Sequence, residues 1–205
     1  MAVANMLSDR YYNFNKGKKM VSLSVQNLLN CGLGTCEKGG DPLNVLIFIH
    51  KFGVSDESCQ NYQGKTPAKE NCSNINSCAT CKGMLYNSRC EEVKNYKRWK
   101  ILDYGTISGV EDMKNELKWG PIVCGVFATE KFVTYTGGVF TEYSTFTKAN
   151  HYVEVVGYGE ESGRQYWIVR NSWGTAWGES GFGRMLIGQN NLGIEKNCYW
   201  GNTLF

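Results

Sequence analysis

Nine cysteines in 205 residues constrain this chain more than any other feature. They are Cys31, Cys36, Cys59, Cys72, Cys78, Cys81, Cys90, Cys124 and Cys198. Such density points to folding in an oxidising compartment around a disulfide framework. An odd number leaves one thiol without an intramolecular partner. Cys78 and Cys81 also have the C-x-x-C spacing of a zinc ribbon, although the intervals to Cys72 and Cys90 fit a ribbon poorly. Residues 1–9 contain no basic stretch followed by a long apolar one, so no secretory signal is read there. For a disulfide-rich chain, that predicts a true N-terminus upstream of Met1.

Composition narrows the function classes. A net charge of +3 is too mild for a nucleic-acid-binding domain. The basic run Lys94, Lys97, Arg98 and Lys100 is interrupted by Tyr96 and Trp99 and reads as a solvated face. No apolar stretch is long enough to cross a bilayer. An apolar fraction of 42% is enough to build a sizeable core.

Along the chain the character changes near Trp99. Before it, residues 1–12 read as a helix with Val3, Met6 and Leu7 on one face. A second helix over 25–30 is capped by Ser24, and a third over 42–52 has Pro42 in its first turn. After it, β-rich apolar runs at 122–128, 152–158, 166–169 and 183–187 are bounded by glycines, with a helix at 111–118 stopped by Gly120-Pro121. The reading is an α+β chain divided into a disulfide-rich helical half, 1–98, and an antiparallel β half, 99–205. A cleft between two such halves is a common binding site.

His151 and Asn171 carry the chemistry. The strand after His151 and the strand before Asn171 flank a polar turn over 159–163. A hairpin centred on Glu161 places the two residues directly opposite, where Cβ atoms are about 4.5–5.5 Å apart. A side-chain amide oxygen can then fix the tautomer of an imidazole, the base-and-orienter half of a Cys-His-Asn arrangement. On spacing alone, a histidine capping a strand end beside a polar turn is an equal alternative.

The segment around Asn150-His151, continuing through Gly157-Tyr158-Gly159, resembles the histidine segment of papain-like cysteine peptidases. The segment Tyr166-Trp167-Ile168-Val169-Arg170-Asn171-Ser172-Trp173-Gly174 resembles their asparagine segment, and Trp177-Gly178-Glu179 and Gly181-Phe182 extend the match. The joint order of Leu23-Ser24-Val25-Gln26-Asn27, Cys36-Glu37-Lys38-Gly39-Gly40, Cys59-Gln60-Asn61-Tyr62-Gln63 and Tyr135-Thr136-Gly137-Gly138 is similar to the cathepsin X (cathepsin Z) type. The resemblance implies a two-domain papain-like fold. Its parts are a helical N-terminal half with a truncated central helix and an antiparallel β-barrel-like C-terminal half.

The same resemblance implies functional roles. His151 and Asn171 are catalytic, and Trp173 covers their hydrogen bond. Gly39 and Gly40 align an extended substrate, and Tyr152 narrows the pocket for the second substrate residue. The implied disulfides are Cys31–Cys72, Cys59–Cys78, Cys81–Cys90 and Cys124–Cys198, leaving Cys36 unpaired. No metal and no cofactor is implied. The implied partners are peptide or protein substrates and cysteine-protease inhibitors, acting on a monomer in the lysosome or outside the cell.

The family's nucleophile motif, of the form C-G-S-C-W-A, does not occur in residues 1–205. Residues 2–10 resemble the stretch just after that motif, so the nucleophile, the oxyanion glutamine and the partner of Cys36 are expected upstream. Without them the chain is expected to be inactive. A non-catalytic papain-like domain that holds peptides is the alternative. Tyr152 and Glu154 depart from the family pattern. Glu154 alternates with Val153 and Val155, so it must find a partner or face solvent, because an unpaired buried carboxylate is costly.

Overall fold

The computed structural model describes residues 1–67, 71–83, 89–143 and 148–203. The first helix, α1 (Ala2–Phe14), buries Val3, Met6, Leu7, Arg10 and Tyr11 on one face. That is the three-and-four spacing of a helix lying on a core. It runs two residues past the expected end. Helix α2 (Val25–Asn30) starts where Ser24 accepts a hydrogen bond from the Asn27 amide. Helix α3 (Pro42–Phe52) is capped in the same way by Asp41, with Pro42 in its first turn. A side-chain oxygen at this position satisfies an amide that the helix cannot.

A short helix, α4 (Asn74–Ser77), leads into a two-stranded antiparallel ribbon of β1 (Ala79–Lys82) and β2 (Arg89–Glu92). The ribbon is almost wholly exposed. Disulfides join Cys31 to Cys72, Cys59 to Cys78, Cys81 to Cys90 and Cys124 to Cys198, and Cys36 is a free, exposed thiol. With Cys72, Cys78, Cys81 and Cys90 all oxidised, none offers a thiolate to zinc.

The remaining elements build one sheet. They are β3 (Ile101–Ile107), helix α5 (Val110–Leu117), β4 (Ile122–Val126), helix α6 (Glu130–Val133), β5 (Val139–Phe140), β6 (His151–Glu161), β7 (Arg164–Arg170), β8 (Phe182–Leu186) and β9 (Cys198–Thr203). The strand order is β3-β9-β4-β6-β7-β8-β5. The sequence led us to expect a barrel-like antiparallel half. Among the described residues the sheet instead stays open, with β3 and β5 as its edges, and the outermost pair β5·β8 is parallel. Strand β5 is two residues long and ends the sheet before it can curl onto β3.

Strand β4 lies at the centre and is buried at all five positions. That is why it reads as an uninterrupted apolar run. One core cluster gathers Ile122, Cys124, Val155, Trp167, Val169, Met185 and Ile194. The other gathers Leu7, Leu46, Ile49, Trp99, Ile101 and Val123 around α1 and α3.

Candidate active site

Two pieces of local structure bring His151 to its place. The Asn150 side chain holds Ala128 from both directions, accepting from its amide at 2.7 Å and donating to its carbonyl at 3.2 Å. The Asn150 amide bonds Val126 at 3.1 Å. The first residue of β6 is thereby pinned to the end of β4. Asn171 comes directly after the last residue of β7, where its amide donates to Gly181 at 3.0 Å.

His151 Nε2 lies 2.9 Å from Asn171 Oδ1. The Ser172 amide donates to the same atom at 2.8 Å, which marks it as the oxygen. An amide oxygen only accepts, so Nε2 carries the ring's proton and Nδ1 is the free acceptor of the neutral imidazole. Asn171 is 8% exposed. Burial holds the His151 imidazolium below the usual histidine range, against the opposing pull of the Asn171 bond. A neutral ring with one fixed proton and one free lone pair is what a general base requires.

The contact is made, but not by the expected register. Backbone pairing runs through Glu160↔Gln165 and Glu161↔Arg164, so the turn is Ser162-Gly163 and not 159–163. Both turn residues have positive φ, at 52° and 74°, which suits a two-residue hairpin. A bulge between Val155 and Gly157 shifts the register again, giving Glu154↔Arg170. Continuing that register sets Trp173, not Asn171, opposite His151. Trp173 stacks on the imidazole with centroids 4.5 Å apart and planes at 26°. Asn171 reaches His151 diagonally, and the diagonal distance is within side-chain range. Trp173 is 39% exposed, so it covers one ring face without sealing the site. Phe132 and Trp177 hold it edge-on, roles that no signal in the sequence had marked.

A cleft of about 350 Å³ opens beside this pair. Its walls include Met1, Ala2, Cys36, Gly39, Gly40, His151, Tyr152 and Ser172. The cleft brings Gly39 and Gly40 to the same space as His151. Asn171 and Trp173 do not line it. Gly39 exchanges two hydrogen bonds with Thr35, at 3.0 and 2.8 Å, so its backbone groups are engaged. Gly40 has no such bond among the described residues. A Cβ at Gly40 would stand 2.2 Å from the Leu33 carbonyl oxygen, which explains glycine there.

Tyr152 lies beside Gly125 of β4, where a Cβ would stand 2.8 Å from Ala149 Cβ and 3.3 Å from the Tyr152 ring. Its ring meets Tyr199 edge-on at 6.2 Å. Burial, with Tyr199 and Asp41 nearby, pushes the Tyr152 phenol up to about 12. No group of three or more His, Cys, Asp or Glu suited to a metal ion is found among the described residues.

The sequence pattern of the papain family cysteine proteases matches residues 1–201. The chain belongs to that family. It is similar to cathepsin Z of Onchocerca volvulus, 39% identical over 210 residues, covering 97% of this chain and 66% of the relative. It is also similar to cathepsin B-like cysteine proteinase 1 of Ostertagia ostertagi, at 32% over 98% of this chain and 63% of the relative. The chain thus spans slightly less than two thirds of the length of either.

Solved structures agree with this placement. Procathepsin B S9 from Trypanosoma congolense superposes with a TM-score of 0.80 at 27% identity, over 100% of this chain and 68% of that one. The bromelain protease of Ananas comosus, solved with the E64 inhibitor, gives 0.75 at 28%, over 98% and 86%. The papain family fold is therefore that of this chain, with the His151–Asn171 pair on the sheet side of the cleft.

Proposed function

We propose that the protein is a cysteine peptidase that releases single residues from peptide C-termini, in the manner of cathepsin X-type enzymes. His151 is its base and Asn171 the orienter. The nucleophile is a cysteine borne by a segment ahead of residue 1. The 2.9 Å bond between His151 Nε2 and Asn171 Oδ1, at the wall of a cleft, carries the reading. His151 Nδ1 takes the thiol proton, the thiolate adds to the peptide carbonyl, and the imidazolium returns the proton to the leaving amine. Water then hydrolyses the acyl-enzyme with His151 again as base. Gly40 presents a free backbone edge to an extended peptide, and Tyr152 narrows the cleft beside it.

Several further assignments belong to the same proposal. The partners are peptides, proteins and cysteine-protease inhibitors. The location is the lysosome or the outside of the cell, which the four disulfides favour. The division at 98/99 is supported by two core clusters, although Trp99, Ile101 and Val123 pack with the one around α1 and α3.

The test compares residues 1–205 with the protein extended by its upstream coding sequence, both with disulfides formed. The extended protein is expected to release C-terminal residues one at a time and to lose this in His151→Ala by about 10²–10⁴-fold. Residues 1–205 alone are expected to hydrolyse nothing. Free cleavage of internal bonds would remove the carboxypeptidase assignment. Peptide binding without turnover by the folded extended protein would replace the enzyme with a peptide-holding domain.

A further inference from the structure

Behind the cleft, helix α1 lies on the sheet across a group of charges that the proposed reaction does not use. Glu154 on β6 is 1% exposed. As a carboxylate, neither of its oxygens has a hydrogen-bond donor among the described residues. Arg170, its cross-strand partner on β7, places Nη1 3.6 Å from Glu154 Oε2. That is an ion-pair distance, too long for a hydrogen bond. The same Nη1 donates instead to Asp9 Oδ2 on α1 at 2.9 Å.

Arg10, next along α1, is spent elsewhere. It donates to Pro121, Asn202, Glu116 and Gly120, at 2.7, 3.2, 2.8 and 3.3 Å. On its β4 side Glu154 meets Val123, which has no charge. The groups acting on Glu154 are therefore Asp9 and Arg10 from α1 and Arg170 from β7.

A charge count shows what is missing. Asp9, Glu116 and Glu154 would bring three negative charges to two guanidiniums, Arg10 and Arg170. Asp9 and Glu154 approach the same Arg170 Nη1, at 2.9 and 3.6 Å, and two carboxylates brought together at one nitrogen cannot bond each other without a proton between them. One proton on Glu154 makes the group neutral, gives the buried acid an acceptor in Asp9 and removes a costly unpaired charge. We propose that Glu154 carries this proton and donates it to Asp9, and that the bond locks α1 against the strand pair whose ends hold His151 and Asn171. Glu154 is thus a positioning residue for that pair. The positioning role rests on reading His151 and Asn171 as base and orienter; the shared proton does not.

The electrostatics agree. Burial pushes the Glu154 carboxyl up to about 8, with Asp9 pushing the same way and Arg170 and Arg10 opposing. The folded state then holds the proton more tightly than the unfolded chain does. The associated stability is whole below the ordinary carboxylate range and is lost as pH rises through about 8. Across that window the unfolding constant of the wild type, relative to Glu154→Gln, rises by up to about tenfold per pH unit. Glutamine keeps the neutral shape and donates to Asp9 without titrating.

The experiment tracks carboxyl carbons by NMR in the whole protein, together with the His151 ring signals and the unfolding midpoint, from pH 4 to 9. We expect one glutamate titrating near pH 8 that vanishes in Glu154→Gln and moves down in Asp9→Asn. His151 signals should shift with that titration in the wild type, hold still there in Glu154→Gln, and be displaced at every pH in Glu154→Ala. A Glu154 carboxyl in the ordinary range, or wild-type and Glu154→Gln stabilities that run parallel in pH, would overturn the shared proton. A high titration that His151 does not follow would overturn the positioning role. If Glu154→Gln does not fold, the wild-type carboxyl titration and Asp9→Asn still decide. None of these readings depends on peptide hydrolysis.

Discussion

Between Cys31 and Cys90, three disulfides tie down short helices and a ribbon whose residues are nearly all exposed. Between Ile101 and Thr203, one disulfide accompanies a seven-stranded sheet whose central strand is wholly buried. Apart from α3, whose Leu46 and Ile49 join the core around α1, the first region buries little apolar surface, and cross-links limit the freedom of its unfolded chain. The second is held by burial, and its cross-link joins strands already paired, Cys124 on β4 facing Cys198 on β9. The site draws on both. The cross-linked region supplies the glycine edge of the cleft, and the sheet supplies His151 and Asn171.

That contrast breaks first, and hardest, at the core. Trp167 is fully buried, and its indole donates to Glu195 Oε1 at 3.1 Å. Trp167→Ala should cost about 3–5 kcal/mol. It also takes a donor from Glu195, which still accepts from Gly188 and Asn190. Denaturant unfolding checks this; a loss under about 1 kcal/mol would mean that burial does not hold the sheet.

The cross-linked region should respond in proportion to loop length. Replacing Cys31 and Cys72 together opens a 41-residue loop and should cost about 4 kcal/mol. Replacing Cys81 and Cys90 opens a 9-residue loop and should cost about 2–3 kcal/mol. Equal losses from the two pairs would show that native strain or residual structure, not loop closure, sets their worth.

The two regions also differ in how far the sequence reveals them. Helices α2 and α3 are legible to the residue, because Ser24 and Pro42 mark starts that local chemistry enforces. Strands β4, β6, β7 and β8 are visible as apolar runs, with ends off by at most three residues and the start of β4 at Ile122 as expected. The ribbon β1·β2 is not visible. Its exposed residues carry no alternation, and its pairing is stabilised by a disulfide. The edge strand β3 has one fully buried residue and gives little signal.

The site is legible as a pair and misleading as a register. Gly159, Glu160 and Glu161 look like a turn by composition, yet their backbones pair with Tyr166, Gln165 and Arg164. The bulge at Val155 to Gly157 is marked only by Gly157, a glycine inside a strand pattern. The expected contact holds because Asn171, beyond the strand end, reaches His151 from a diagonal position. Alternation with valines leaves Glu154 either partnered or facing solvent; the structure buries it, and its neighbours Asp9 and Arg10 are far away in sequence, so only the fold brings them together.

We propose His151, held by Asn171, as a neutral base with its proton on Nε2. An NMR titration of the imidazole nitrogens in the folded protein tests it directly. The expected midpoint lies below the ordinary histidine range, the direction set by burial, with Nε2 protonated and Nδ1 bare in the neutral form. In Asn171→Ala the midpoint should fall further, because the bond that supports the charged ring is gone. A wild-type midpoint at or above the ordinary range, or a neutral ring protonated on Nδ1, would contradict it.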